Sequence, residues 1–414
     1  MLKIQRYFLL ALGAAFVVWG LLAAFDLAGQ RKLFYEQGGE ELYDFWMPRM
    51  CLEQGYLGHP ERHAGLVDVR NGKPIEVDDR DAVWSDWYTN GSETKFITGW
   101  RDKVYPYFAL LPLRPFPATR LGGYLWSAVA GIALLVSMCL IVRSWWPLVF
   151  ALSMPFLFNL ERGNPVWLSA ACSGVFIAWW NDEKGWKRIF AATCLAVAGA
   201  MKIAPLALGA VYLAKWRWKP VSLCAILTLA FVFVPWFFCG DGFAALPVML
   251  RNAAEHAEYV LRTSDFGFIQ LWRTVRLVSG LNVQEPWAGM MAVARVSQLL
   301  GFVCLLVGAL RRNYILLMGG MLVAAGNMYY YAALYMLPVL VLEFRDKKDL
   351  WIIDLALWFA LLCPLQLIVL GRSANQVIGN IAVLSLMAIN LIRGTKTLRF
   401  IVRQGPQHKY VLHT

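Results

Sequence analysis

An all-α polytopic membrane protein is the fold class this sequence predicts, a bundle of about 10–12 membrane helices, some of them broken, with a large outer-facing first loop. Three observations carry that expectation. Hydrophobic residues make up 59% of the chain and charged residues 16%, whereas a soluble domain is near half apolar and a quarter charged. Apolar stretches long enough to span about 30 Å of hydrocarbon recur along it. The basic residues, which give a net charge of +12, gather in short connections between those stretches. Positive residues mark cytoplasmic loops, so this charge reports topology. The lipid bilayer is the expected partner, and nucleic acid is not.

The first apolar run, 7–27, follows Lys3 and Arg6, which hold the N-terminus inside. It reads as an uncleaved anchor within residues 1–28. A secretory signal peptide is the alternative, because small residues flank Ala28. The loop 29–104 holds 14 of the 27 acidic residues against 10 Lys and Arg, so it is expected outside. Seven of the eight cysteines lie in or beside apolar segments. Cys51 stands alone well inside the loop, which excludes a disulfide within it. Asn71-Gly72 between alternating apolar residues predicts a hairpin, and Asn90-Gly91-Ser92 fits a glycosylation acceptor.

A polytopic domain over 105–392 follows, with spans expected near 121–142, 147–160, 166–180, 222–238, 290–310, 351–370 and 376–392. Basic clusters pin the inner connections: Lys184, Lys187 and Arg188; Lys215, Arg217 and Lys219; Arg311 and Arg312; Arg345, Lys347 and Lys348. Two segments break the alternation, because 188–215 and 312–345 are basic at both ends. Each is interrupted, the first at Lys202-Ile203-Ala204-Pro205 and the second at Gly326-Asn327. With both ends inside, each segment is expected to fold back at its interruption as two helices, and Pro205 favours the first break because proline removes a backbone donor and clashes one turn back. Broken backbone must then line a cavity or be buried in protein. A single crossing is the alternative. A second outer loop covers 240–288, within which the apolar spacing over 266–278 predicts a helix along the membrane surface. The tail 393–414 is basic and is expected inside.

The chemistry-bearing candidates are one well-placed acid and scattered cations near the outer interface. Asp44 opens the first loop in Tyr43-Asp44-Phe45-Trp46-Met47-Pro48-Arg49. Moving a sugar off a lipid phosphate with inversion needs one base for the acceptor hydroxyl and cations for the departing phosphate. Asp44 is the acid best placed for the base, with Arg49 beside it as a cation; a helix N-cap or a solvated loop position is the bland reading. Asp68, Asp78, Asp79, Asp81, Asp86 and Asp102 are rivals within a charged run. Glu161 and Arg162 interrupt apolar sequence, where ionisable residues are costly. Arg162 offers a fork for phosphate, or else an ion pair at a turn. Lys202, deep in an apolar segment, is expected to meet an anion in the cavity, with snorkelling to the surface as the alternative. Trp84, Trp87, Tyr88, Trp100, Tyr105, Tyr107 and the run from Tyr329 to Tyr331 fit either sugar stacking or an interfacial belt. His59 and His63 lack matching acids, so no metal and no cofactor is expected.

The order of these motifs resembles a known family. Asp44-Phe45 is followed by Gly55-Tyr56, then Tyr105-Pro106-Tyr107-Phe108, Glu161-Arg162-Gly163-Asn164 and Lys202-Ile203-Ala204-Pro205. Phe268-Ile269-Gln270-Leu271-Trp272-Arg273 comes next, and then Tyr330-Tyr331 ahead of Leu337-Pro338. Across about 40–345 this set resembles glycosyltransferase family 87, once catalogued as a domain of unknown function. The resemblance implies a GT-C-like bundle and transfer of mannose or a related sugar from a polyprenyl-phosphate donor to a glycan or lipid acceptor. It implies an active site on the outer face of a bacterial plasma membrane. It maps a general base onto Asp44, a Gly-Asn turn onto Gly163-Asn164, and a Lys-x-x-Pro motif onto Lys202 and Pro205. Donor phosphate contacts from Arg162, Lys202, Arg49 and Asn164, and sugar or acceptor contacts from Trp100, Tyr105, Tyr107, Tyr330 and Gln270, are the corresponding expectations. The chain departs from the family pattern in an insertion at 59–98, in Tyr105-Pro106-Tyr107 for a doubled proline, and in tyrosines at 329–331 for a histidine. A flippase or transporter of lipid-linked sugars is the alternative from another class, since broken helices and an intramembrane lysine suit it too. A sugar polymerase or ligase is a third reading.

Overall fold

Prolines, glycines and the apolar runs set the boundaries of nearly every helix. The computed structural model describes residues 3–25, 42–54, 105–117, 119–261, 265–280, 289–326, 328, 330–346, 351–369 and 372–403. The Asn71-Gly72 hairpin, the Asn90 acceptor, His59, His63, Trp100, the rival aspartates at 68–102 and the insertion 59–98 lie outside the described residues.

The chain runs α1 (Lys3–Ala24), α2 (Tyr43–Gln54), α3 (Tyr107–Leu110), α4 (Arg120–Val142), α5 (Met154–Arg162), α6 (Val166–Trp179), α7 (Gly185–Met201), α8 (Ala210–Leu213) and α9 (Trp218–Phe233). It continues through α10 (Ala245–Leu261), α11 (Phe268–Val278), α12 (Met290–Arg311), α13 (Tyr314–Ala324), α14 (Met336–Asp346), α15 (Ile352–Leu362) and α16 (Asn375–Arg403). A two-residue strand pair, Ile368–Val369 with Arg372–Ser373, is the only sheet among the described residues. The fold is therefore that of an all-helical polytopic membrane protein. Five described helices are long and apolar enough to cross a membrane, and among the shorter apolar helices α13 is almost wholly buried.

Several expected spans are interrupted for visible reasons. The run 147–160 is a 3-10 helix, Trp146–Leu152, followed by α5, because Ser153 is extended and Pro155 starts a new helix. The run 351–370 ends as helix at Leu362, since Cys363 precedes Pro364 and is held extended. In the run 222–238, Pro235 tightens the last turn into a 3-10 helix, Val234–Phe238. The helix expected over 266–278 is α11.

Both interrupted segments are broken. After α7, Lys202 is extended (φ −153°, ψ 120°) and a 3-10 helix, Ala204–Gly209, leads into α8. Leu206 lies against Gly199 and Leu195 against Gly209, so the chain turns back along α7. Lys215 returns to the beginning of that hairpin, 3.4 Å from Asn181 Oδ1 and 4.5 Å above the Trp180 ring. The second segment breaks after α13 and resumes as a 3-10 helix, Tyr330–Tyr335, and α14. Its far end also returns: Arg345 donates to the Ile141 carbonyl at the end of α4 (3.1 Å), and Gln5 to the Phe344 carbonyl (2.9 Å). One end of the bundle thereby collects the basic connections, and the two breaks lie toward the other.

Close backbone packing holds the middle. A Cβ on Gly301 would lie 2.5 Å from the Ala324 amide nitrogen, and one on Gly308 2.5 Å from that of Leu317. These pairings run in opposite directions, so α12 and α13 are antiparallel with their backbones in contact. Small residues allow such approach where lipid supplies no hydrophobic drive between helices.

Candidate active site

The short turn between α5 and α6 organises the end opposite the basic connections. Helix α5 stops at Arg162 because Gly163 takes a left-handed conformation (φ 66°), and its amide returns to the Asn159 carbonyl (2.8 Å). A side chain at 163 would be excluded twice, by that φ and by Phe45, whose Cβ would lie 2.7 Å from the added carbon. Trp126 Nε1 donates to the Gly163 carbonyl (3.0 Å). The Leu42 amide donates to the Glu161 carbonyl (2.6 Å). The first turn of α2 is thus held on the 161–164 turn, across almost 120 residues of sequence.

That docking brings Asp44, Arg162 and Asn164 together. Arg162 grips Asp44 with a two-toothed fork, Nε to Oδ2 at 2.6 Å and Nη2 to Oδ1 at 2.8 Å. Asn164 Nδ2 donates to Asp44 Oδ2 (2.9 Å), while its Oδ1 accepts from the Val166 amide (2.8 Å) and so fixes the orientation of the amide. Asp44 is buried, 7% exposed. A paired and hydrogen-bonded carboxylate is the form in which such burial is tolerated. Both charges also sit favourably, the acid in the first turn of α2 and the cation in the last turn of α5.

The break after α7 supplies the second cation. Lys202 Nζ donates to the Tyr331 hydroxyl (3.0 Å) and lies 4.6 Å from the centre of that ring. Asp44 is close enough to act electrostatically on both Lys202 and Tyr331. Asn159 ties the break after α13 to α5, its Nδ2 donating to the carbonyls of Pro155 and Tyr331 (2.9 Å each). Both breaks thus contribute to one polar cluster, the first through the Lys202 side chain and the second through Tyr331, whose carbonyl is taken up by Asn159.

A second carboxylate joins from the second outer segment. Asp265 is buried, accepts from the Tyr330 amide (2.9 Å), and donates its own amide to the Met328 carbonyl (3.0 Å). Burial pushes its carboxyl up to about 6, against the Tyr330 amide and the charges of Arg273 and Arg162, which favour the ionised form. Gly267 is clamped to Asn380 by reciprocal hydrogen bonds of 2.8 and 2.9 Å, which fixes this segment to α16.

The remaining sequence-derived residues are placed elsewhere. Arg49 donates to the Phe116 carbonyl (3.1 Å). Tyr107 packs on Trp236 and donates to the Phe238 carbonyl (3.4 Å), with Tyr105 against the same apolar cluster. Gln270 is buried and accepts from Arg273 (3.1 Å). Tyr330 is a core residue, packed on Phe158 and Phe266, with its hydroxyl on the Leu361 carbonyl (2.8 Å). Its neighbour Tyr331 is the tyrosine that meets Lys202. Asp265 is absent from the residues the sequence points to, and Tyr331 stands among them only as a member of the run 329–331. The available signal for Asp265 was a lone acid at the start of the Phe266–Val278 pattern; nothing in the run 329–331 distinguishes its members.

The family model for glycosyltransferase family 87 matches residues 104–338. That stretch contains Arg162, Asn164, Lys202, Asp265 and Tyr331 and begins after Asp44, which enters the cluster through its contact with Arg162 and Asn164. No curated protein and no solved structure matches the chain.

Proposed function

The chain belongs to glycosyltransferase family 87, and from that premise we propose that it transfers a mannose-like hexose, with inversion, from a polyprenyl-phosphate donor to a glycan or lipid acceptor. The observation that carries this reading is the meeting of one buried acid with a forked cation and a lysine at the breaks of two helices.

In the proposed reaction the acceptor hydroxyl oxygen attacks the anomeric carbon. The bond from that carbon to the phosphate oxygen breaks, and its electron pair leaves with the phosphate. Asp44 takes the hydroxyl proton, Arg162 and Lys202 hold the phosphate, and Asn164 orients the acid. Arg49, Trp100, Tyr105, Tyr107 and Gln270 remain candidates for outer contacts to donor or acceptor, whereas Tyr330 is wholly buried in the core. A donor phosphate and Asp44 compete for one guanidinium fork. Donor binding therefore loosens Asp44 from Arg162, and a carboxylate relieved of a cation is more basic. The donor would thus prime the base for the acceptor.

The gathering of Lys184, Lys187, Lys215, Arg312 and Arg345 at the opposite end supports an inner position for that end. The active site is then outer-facing on a bacterial plasma membrane, with the N-terminus inside. Purified protein with a synthetic polyprenyl-phosphate hexose is the direct test. Asp44→Asn should lower turnover by about 10²-fold or more, with donor binding retained. Undiminished turnover in that variant would remove Asp44 as base. In cells, unchanged surface glycans on deletion of the gene, with sugar trapped on the inner leaflet, would instead indicate transport.

A further inference from the structure

At the basic end, far from Asp44, helices α4, α6 and α14 finish around a cavity of about 270 Å³, lined by Leu140, Ile141, Arg143, Trp179, Asp182 and Arg345. Its charges are unevenly satisfied. Asp182 is fully used, accepting from the Lys184 amide and from Lys187 Nζ, both at 3.0 Å. Arg345 is also used, forked onto Asp346 and donating to the Ile141 carbonyl. Arg143 forms no hydrogen bond or ion pair among the described residues. It ends α4 in a left-handed conformation (φ 53°) and is exposed at the cavity. Its charge acts on Asp182, which the Lys184 amide and Lys187 already satisfy, so no acceptor among the described residues holds its guanidinium.

An apolar rail leads to that cation. Leu125, Val129, Ile132 and Val136 of α4 are all exposed large hydrophobics. Their spacing puts them on one face of the helix, and the row continues to Leu140 in the cavity wall. Trp145 and Trp186, 74% and 59% exposed, stand at the same end, as tryptophans do at the level of lipid headgroups. A soluble anion has no use for the rail, and an isolated exposed arginine holds such an ion weakly. An anion carrying an acyl chain uses both.

We propose that this cavity is a binding site for an anionic phospholipid, with the headgroup phosphate on Arg143 and one acyl chain along the exposed face of α4. Basic pockets between membrane helices recognise lipid headgroups by this combination of charge and apolar contact. The site is separate from the Asp44 cluster and independent of the sugar-transfer reading.

The test uses the full chain in an uncharged detergent, with bound lipid counted by native mass spectrometry and unfolding followed by temperature. Phosphatidylglycerol should be retained and should raise the unfolding temperature. Arg143→Ala should weaken retention roughly five-fold, the effect of one surface cation on an anionic lipid. Arg312→Ala, which removes another basic residue from the same end, should leave retention unchanged. Ile132→Ser should weaken retention without altering charge. Equal stabilisation by phosphatidylcholine or by inorganic phosphate would overturn the proposal, as would full retention in Arg143→Ala.

Discussion

A carboxylate gripped by a guanidinium is a poor base until the grip is shared, so the role proposed for Asp44 depends on its pairing with Arg162. Removing either partner strands a buried charge, which costs more than the pair itself is worth. Asp265 poses the opposite problem, a buried acid whose charge is only partly compensated. Its folded pKa, about 6, lies above the ordinary 3.8 because burial disfavours ionisation. The folded state therefore holds the proton more tightly than the unfolded chain does. The resulting stability is fully present below about pH 4 and is lost as pH rises through about 6. Asp265→Asn keeps an acceptor for the Tyr330 amide and removes the titration. Thermal unfolding across pH 4–7 should fall more steeply with rising pH in the parent than in Asp265→Asn. Parallel curves would show that Asp265 does not titrate in this range.

Elements were legible to different degrees. Runs such as 121–142 and 290–310 emerge as helices close to their apolar limits, because a long uninterrupted apolar stretch has one stable form in hydrocarbon. Breaks at Pro205 and after Ala324 were legible from residues that cannot continue a helix and from basic ends. The splits at Ser153, Cys363 and Val234 were less visible, because prolines at 155, 364 and 235 are compatible with either a kink or a stop. Which helices touch was not legible at all. The α12–α13 contact depends on Gly301 and Gly308 facing Ala324 and Leu317, a pairing set by two surfaces at once. Gly301→Val would drive a side chain into the α13 backbone and should cost about 1–3 kcal/mol, read as a lower unfolding temperature. A variant as stable as the parent would mean that the two helices can separate freely.

At the scale of the whole molecule, both broken segments begin and end at one pole, which puts the Asp44 cluster at the other. Single cysteines replacing Lys184 and Lys215, in a chain freed of its own cysteines, should react with a membrane-impermeant thiol reagent from the same side of sealed vesicles. Labelling from opposite sides would mean that the α7–α8 segment crosses the membrane. The sequence alone determined the class of the protein, its broken segments and the residue types able to do the chemistry, because hydrophobic length and charge placement are local properties. Tertiary structure decided which acid meets which cation. Asp44 and Arg162 meet because α2 docks on a glycine turn, and Tyr331 rather than Tyr330 meets Lys202 because a 3-10 turn aims successive side chains apart. Such contacts join residues distant in the chain, and only the packed backbone brings them together.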